Sequence, residues 1–241
     1  MTETIILQGN PGSYGHIAAQ AAKPDATPQF AVTFDQVFDA VEEGRATFGI
    51  IPIENSTIGR IADVHNLFRT TPLHIVGEQF VEVQHVLLAP HGVRLEEVKY
   101  VYSQVQALGQ CRKKIKQYNL TEHQTADTSG AAKQVAIEGQ QGRCDAAAIA
   151  SPLAAQLHGL TVLDDDMRDE AHNTTRFLLL AKEAAQPDPG QPCKTTLLFT
   201  TRSIPAALYK ALGGFATNGV NLTKLESYVT GANFTVAEFY M

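Results

Sequence analysis

The sequence predicts an α/β protein built as two lobes with a smaller α+β unit after them, and three observations carry that reading. Apolar, β-branched runs alternate with helical stripes through the first part of the chain, as strands joined by crossover helices do. Residues 73–89 hold two extended segments with no helix between them, which marks a passage from one lobe to another. Residues 183–193, rich in proline and polar side chains, then set off a shorter β-α-β-β pattern.

Each element has a local signal. Residues 4–7 form an apolar run that enters a glycine loop at 9–15 and an alanine-rich helix at 16–22. Phe34, Val37, Phe38 and Val41 make a helical stripe, opened by Thr33 with Gln36 three residues on and closed by Gly44. The β-branched run 48–53 precedes Glu54-Asn55-Ser56-Thr57, after which Ile61, Val64 and Phe68 mark another helix. The run 98–102 leads through Ser103 into a helix through Cys111 and Ile115, and 146–150 leads through Ser151-Pro152 into a short helix. This alternation predicts a largely parallel sheet. Beyond the linker come a strand at 195–200, a helix at 205–215, a strand from Leu222 and a hairpin around Gly231 running into Phe234 and on to Met241. That is most of a ferredoxin-like βαββαβ unit, whose last helix and strand are expected to be missing.

Composition narrows the function. With 241 residues, 44% hydrophobic and 18% charged, the chain has the makings of a full core. A net charge of -6 gives no attraction for polyphosphate, so nucleic acid is excluded as the main partner. Cys111, Cys144 and Cys193 lie far apart without metal-site spacing, which fits a reducing cytosol. The first residues lack a basic, then apolar, leader, and no apolar run approaches the ~20 residues that span a bilayer. A cytoplasmic protein away from membranes is the expectation.

Strand ends repeatedly meet a helix through Ser13, Asn55 and Ser56, Ser103, Thr128 and Ser129, and Ser151. Helix capping explains any one of them. Capping does not explain the crowding in Glu54-Asn55-Ser56-Thr57 or in residues 125–130. On a parallel sheet such turns share one edge, so hydroxyls, amides and helix ends converge on a cleft suited to a small carboxylate. Asn173-Thr174-Thr175-Arg176-Phe177 puts a Thr-Arg pair at the mouth of a buried strand. Thr175 is then a hydrogen-bond or proton donor and Arg176 a carboxylate partner; the plainer reading is a β-former beside a surface cation. The glycine loop lacks the ending of a phosphate-binding loop and does not fit GxGxxG. No GxSxG is present, and His16, His85, His158 and His172 receive no role. Asp164-Asp165-Asp166 reads as a solvated charge run, because consecutive side chains point apart.

Taken together, these motifs resemble the prephenate dehydratase family over nearly the whole chain. Gly12-Ser13-Tyr14, Pro52-Ile53-Glu54-Asn55-Ser56, Ser103 through Gln106-Ala107-Leu108 to Gln110-Cys111, Asp127-Thr128 with Ala131-Ala132, and Asn173 with Thr175-Arg176-Phe177 stand in the family's order and spacing. The resemblance implies a catalytic domain at 1–182 with the two-lobed fold of type II periplasmic binding proteins, lobe 1 at about 1–75 plus 173–182 and lobe 2 at about 76–172. A linker at 183–193 and a partial ACT regulatory domain at 194–241 follow.

The implied reaction turns prephenate into phenylpyruvate with loss of carbon dioxide and water, and needs no metal or cofactor. Thr175 and Arg176 are the implied catalytic residues. Ser13, Tyr14, Glu54, Asn55, Ser56, Ser103, Gln106, Thr128 and Ser129 are implied to bind substrate, with Glu54 as a second acid or simply a helix-start carboxylate. L-phenylalanine is the implied effector, held between subunits of a homodimer or homotetramer near Ala207, Leu208, Asn221, Leu222, Glu226 and Ser227. Three features depart from the family's pattern: Glu226-Ser227 is followed by Tyr228-Val229 in place of Arg-Pro, Ala206 stands where Gly is usual, and Gln104 follows Ser103 where His is common. With Tyr228 in place of arginine and the end of the ACT domain expected to be missing, phenylalanine inhibition is expected to be weaker or absent in this form compared with a full ACT domain. Arogenate as substrate, or a silent metabolite sensor on the same scaffold, are the alternatives.

Overall fold

The computed structural model describes residues 2–188, 190–230 and 236–241, and divides into two compact units, Met1–Ala185 and Gln186–Met241. The first unit contains two sheets. One is built from β1 (Thr4–Gln8), β2 (Thr27–Ala31), β3 (Phe48–Asn55), the two-residue β4 (Gly59–Arg60), β5 (His74–Glu82) and β11 (Thr174–Ala181), in the order β2-β1-β3-β11-β5 with β4 on β3. The other contains β6 (Val86–Ala89), β7 (Tyr100–Ser103), β8 (Thr121–Gln124), β9 (Ala146–Ala150) and β10 (Thr161–Asp164), in the order β10-β6-β9-β7-β8.

Both sheets are mixed, which corrects the expectation of a largely parallel one. β2, β1 and β3 run parallel, but β11 lies antiparallel between β3 and β5. In the second sheet β9, β7 and β8 run parallel, while β6 lies antiparallel between β9 and β10. The reason is the double crossing: a strand that returns from the other lobe enters the sheet from its far end. β5 also keeps the chain in the first sheet as far as Glu82, so the crossing lies at residues 83–85 and not near 75. The return crossing occupies 165–173. The two crossings are stitched together where Val83 N–H donates to Asn173 O at 2.7 Å.

Helices cover the sheets where the sequence stripes say they should. α1 (Tyr14–Ala22) packs Ala18 and Ala19 against Ile5, Leu7, Ile50, Phe177 and Leu179. On the other face α2 (Phe34–Glu42) and α3 (Ala62–Leu67) bring Val37, Phe38, Val41 and Val64 onto Ile51, Ile53, Leu178 and Leu180. Removing one such side chain, as in Ile51→Ala, costs about 2–5 kcal/mol in a close-packed core. β9 is buried on both faces, its alternate residues divided between α4 (Val105–Gly109) with α5 (Arg112–Gln117) and α6 (Thr128–Gln140) with α7 (Pro152–His158). The single helix expected through Cys111 is thus two, broken at Gln110 and Cys111. No helix among the described residues is long and apolar enough to cross a membrane.

The second unit holds β12 (Leu198–Thr200), α8 (Ala207–Thr217), β13 (Glu226–Thr230) and β14 (Val236–Tyr240). β14 pairs antiparallel with both other strands, giving the order β12-β14-β13. This is a split β-α-β with a third strand between, the arrangement of the first three strands of a ferredoxin-like sheet. The hairpin residues around Gly231, including Phe234, lie outside the described residues.

Candidate active site

A chain of amide and ring hydrogen bonds starts at Asn55, the last residue of β3. Its Oδ1 accepts the backbone N–H groups of Thr57 at 2.9 Å and Ile58 at 3.0 Å, an Asx-type turn. Its Nδ2 donates to Asn173 Oδ1 at 2.7 Å and to Thr175 Oγ1 at 2.9 Å. Asn173 Nδ2 donates to Gln110 Oε1 at 3.0 Å, and His85 Nε2 lies 2.9 Å from the same oxygen. His85 Nδ1 is 3.0 Å from the hydroxyl of Tyr14, which donates to Gln84 O at 2.7 Å. Residues from the first lobe, the second lobe and both crossings therefore share one network.

The local sequence explains how these side chains meet. Thr175 stands opposite Asn55, and Arg176 opposite Glu54. Between Arg176 and Phe177 the register shifts, two steps along β3 against one along β11. This bulge inverts the alternation of β3, so Asn55 faces with Thr175 and not with Ile51 and Ile53 in the core below α2. Gln110 sits in the break between α4 and α5, where its carbonyl is free to accept Asp169 N–H at 2.7 Å.

Thr175 and Arg176 fall on opposite faces of β11. Thr175 lies with Phe177 and Leu179 on the α1 face, while Arg176 lies with Leu178 and Leu180 on the other. There the guanidinium grips Glu54 at 2.9 Å and Glu78 at 2.7 Å. The expected Thr-Arg pair is thus divided by the strand's own geometry, and Glu54 is an ion-pair partner of Arg176. Thr175, 8% exposed, accepts from Asn55 and has no acceptor for its own proton among the described residues.

The other predicted residues separate into two groups. Ser56 pairs with Thr174, its hydroxyl accepting Thr174 N–H at 2.9 Å beside the network. Ser13 caps α1, accepting His16 N–H at 3.3 Å. Ser129 donates to Pro11 O and Ser151 to Gly12 O, so the glycine loop of the first lobe rests on the starts of α6 and α7. Gly12 has φ +91°, and a Cβ there would stand 2.9 Å from Ala154 Cα, which fixes glycine at this contact. Thr128 is buried at the first turn of α6, whose cap is Asp127. Ser103 is turned into the second sheet, donating to Ile149 O at 2.7 Å, and Gln106 is exposed on α4 outside the network. Asp164 is no solvated charge: Lys114 and Tyr118 hold it at 2.6 Å and 2.5 Å, while Asp166 pairs with Arg168.

Electrostatics keep the network neutral. Burial pushes the His85 imidazole below its ordinary value; its hydrogen bond to Gln110 opposes this and the Arg168 charge adds to it. Burial likewise holds the Tyr14 phenol well above its ordinary value and the Cys111 thiol up. At neutral pH the site offers amides, a hydroxyl, a phenol and a neutral ring. His85, Gln110 and Asn173 were not among the expected site residues, although Gln110 and Asn173 stand in the motifs. In the second unit, Ala207 and Leu208 open α8, Asn221 and Leu222 precede β13, and Ser227 lies on it. Glu226 beside Ser227 is held by Lys224 at 3.1 Å and by the Tyr228 hydroxyl at 3.0 Å.

Comparison with known proteins places this geometry. A bifunctional N-acyl-homoserine lactone acylase/prephenate dehydratase of Komagataeibacter europaeus is 42% identical over 98% of this chain and 84% of its own length. The arogenate dehydratase/prephenate dehydratase 2 of Arabidopsis thaliana is 41% identical over 92% of this chain and 58% of its own, so the chain spans little more than half of that plant relative. A crystal structure of prephenate dehydratase from Arthrobacter aurescens in complex with L-Phe matches with a TM-score of 0.85 at 28% identity, over 98% of this chain and 79% of that one. A family model described as prephenate dehydratase matches residues 5–185, the whole of both lobes, and the chain belongs to the prephenate dehydratase family.

Proposed function

We propose that the chain is a carbon-oxygen lyase that converts prephenate to phenylpyruvate in the making of phenylalanine, with Thr175 at the leaving hydroxyl. In this reaction the bond from the ring to its carboxylate breaks and carbon dioxide departs. The freed electron pair moves through the ring, the carbon-oxygen bond on the opposite side breaks, and hydroxide takes one proton to leave as water. Aromaticity supplies the driving force.

The observation that carries the reading is the hydrogen bond from Asn55 to Thr175. Because Asn55 Nδ2 can only donate, it occupies a lone pair of the hydroxyl and leaves the threonine proton to be given to a ligand. Threonine is a weak acid, so its work is a hydrogen bond to the developing hydroxide in a site screened from water, worth about 3 kcal/mol by analogy with oxyanion donors. The proton consumed comes from solvent. Asn55 holds that hydroxyl, Ser56 anchors the neighbouring Thr174 and Tyr14 stands at the far end of the hydrogen-bond chain, while Ser13, Thr128 and Ser129 shape the turns at the lobe contact. Arg176 supports the site indirectly, by tying β3 and β5 to β11 through Glu54 and Glu78. Ser103 and Gln106 are assigned no contact with substrate.

The second unit fits a regulatory ACT role, with L-phenylalanine near Ala207, Leu208, Asn221, Leu222, Glu226 and Ser227 in a homo-oligomer. The Arthrobacter relative crystallised with that amino acid supports this reading. Arogenate is the second candidate substrate, favoured by the name of the Arabidopsis relative.

The test is an assay of the purified chain on prephenate and on arogenate, with and without a chelator and with added phenylalanine. The expected result is phenylpyruvate from prephenate at a rate the chelator does not change. Faster product from arogenate transfers the assignment to that substrate, and no product from either by folded protein leaves a metabolite sensor.

A further inference from the structure

We propose that His85 is a positioning residue for the Thr175 hydroxyl, acting through a hydrogen-bond chain whose direction is set at its Asn55 end. The inference rests on the dehydratase reading above and concerns a histidine to which the motifs assign nothing.

The direction of the chain follows from donors that cannot reverse. Backbone N–H groups of Thr57 and Ile58 point at Asn55 Oδ1, so the nitrogen of that amide must face Asn173 and Thr175. Asn173 then receives on Oδ1 and gives from Nδ2, which makes Gln110 Oε1 an acceptor. His85, 2.9 Å from that oxygen, must therefore carry its proton on Nε2 and turn a bare Nδ1 toward Tyr14, whose one hydroxyl proton is shared between that nitrogen and Gln84 O. Gln110 belongs to the second lobe, Asn173 to the return crossing and His85 to the outgoing one. The imidazole thus fixes the one carboxamide that locks the second lobe onto the amide pair beside Thr175. Without its Nε2 donor, Gln110 and then Asn173 are free to rotate, and Asn55 loses the acceptor that shares its nitrogen with Thr175. His85 is 2% exposed, and no solvent group replaces the lost donor cheaply.

Two near-isosteric variants separate this role from simple packing. Gln at this position reaches where Nε2 lies and keeps the donor to Gln110, whereas Asn reaches only where Nδ1 lies and keeps the partner of Tyr14. The proposal expects His85→Gln to hold kcat within about threefold, and His85→Asn to lower kcat about tenfold or more with KM nearly unchanged, the mark of a misplaced group. Gln110→Met, which keeps shape and removes the acceptor, should match His85→Asn, and His85→Asn should add nothing to Gln110→Met.

Equal kcat in the two histidine variants, or a larger loss in His85→Gln, overturns the proposal. If either histidine variant fails to fold, Gln110→Met with wild-type kcat overturns it alone. A ¹⁵N spectrum of the histidine rings of the native chain gives a readout independent of turnover: a His85 ring protonated on Nδ1 alone overturns the chain's direction. Absence of turnover in the native chain, by contrast, defeats the dehydratase reading and leaves that spectrum as the test of the chain.

Discussion

Two neighbours on β11 live in opposite electrical worlds. On the face of Thr175 the linked groups are neutral, joined donor to acceptor from the backbone of Thr57 and Ile58 through Asn55, Asn173 and Gln110 to the imidazole of His85. On the face of Arg176 one guanidinium is shared by two carboxylates. In the proposed reaction, the strand's alternation puts the Arg176 ion pairs and the Thr175 hydroxyl on different sides of the sheet. A decarboxylation gains from this, since a carboxylate without nearby ion partners loses less solvation when its charge moves into the ring. Stability is drawn from the charged face, and orientation from the neutral one.

Asn55→Asp should break the neutral face most sharply. A carboxylate keeps the two backbone donors but accepts the Thr175 proton instead of donating to its oxygen. We expect kcat to fall about 10²-fold, comparable to loss of an oxyanion donor, with the fold retained by circular dichroism. Full activity in that variant would show that the direction of the bond is immaterial.

Arg176→Met tests the other face. Removing the cation leaves Glu54 and Glu78 near one another, and because each is about 30% exposed the cost is below that of a buried pair, about 1–2 kcal/mol in urea unfolding. Turnover per folded molecule should stay within about threefold, since in the proposed arrangement the guanidinium acts through Glu54 and Glu78 alone. A 10²-fold loss with stability intact would return Arg176 to the substrate.

Acid should weaken the neutral face first. Burial sets the folded pKa of His85 below the unfolded value of about 6.5, so between the two the unfolded chain binds more protons and stability falls as pH drops. His16 and His158 are shifted the same way by burial, so the comparison is with His85→Gln, whose unfolding midpoint should decline less from pH 7 toward 5. Parallel declines would remove His85 from the account of acid sensitivity.

The smallest effect lies in the second unit. Ala206 has φ +62°, a left-handed conformation that suits glycine, at the position where the family's pattern has Gly. Ala206→Gly should raise the stability of that unit by up to about 1 kcal/mol, the left-handed penalty less the entropy glycine adds to the unfolded chain. A lower melting temperature would contradict it.

Most of the local structure was legible because it is encoded locally. Thr33 and Gly44 bracket α2, residues 146–150 are β9 to the residue, and Ser151-Pro152 starts α7. Thr175 and Asn55 were legible as candidates because polar groups crowd their turns beyond what capping one helix requires. What escaped depends on register and on distant partners. The β3 bulge that turns Asn55 to Thr175 leaves no mark in the spacing. His85 gained meaning only from Gln110 and Asn173, which the crossings bring to it, and the antiparallel β11 follows from a return path that no single segment reveals.

The most direct measurement is the rate of phenylpyruvate formation from prephenate by the native chain, Thr175→Ser and Thr175→Val side by side. Valine keeps the shape and burial of threonine and removes only the hydroxyl. The account predicts that Thr175→Ser retains much of the native kcat while Thr175→Val loses about 10²-fold or more at similar KM and melting temperature. A Thr175→Val enzyme that turns over at the native rate, or that loses only affinity, would contradict it.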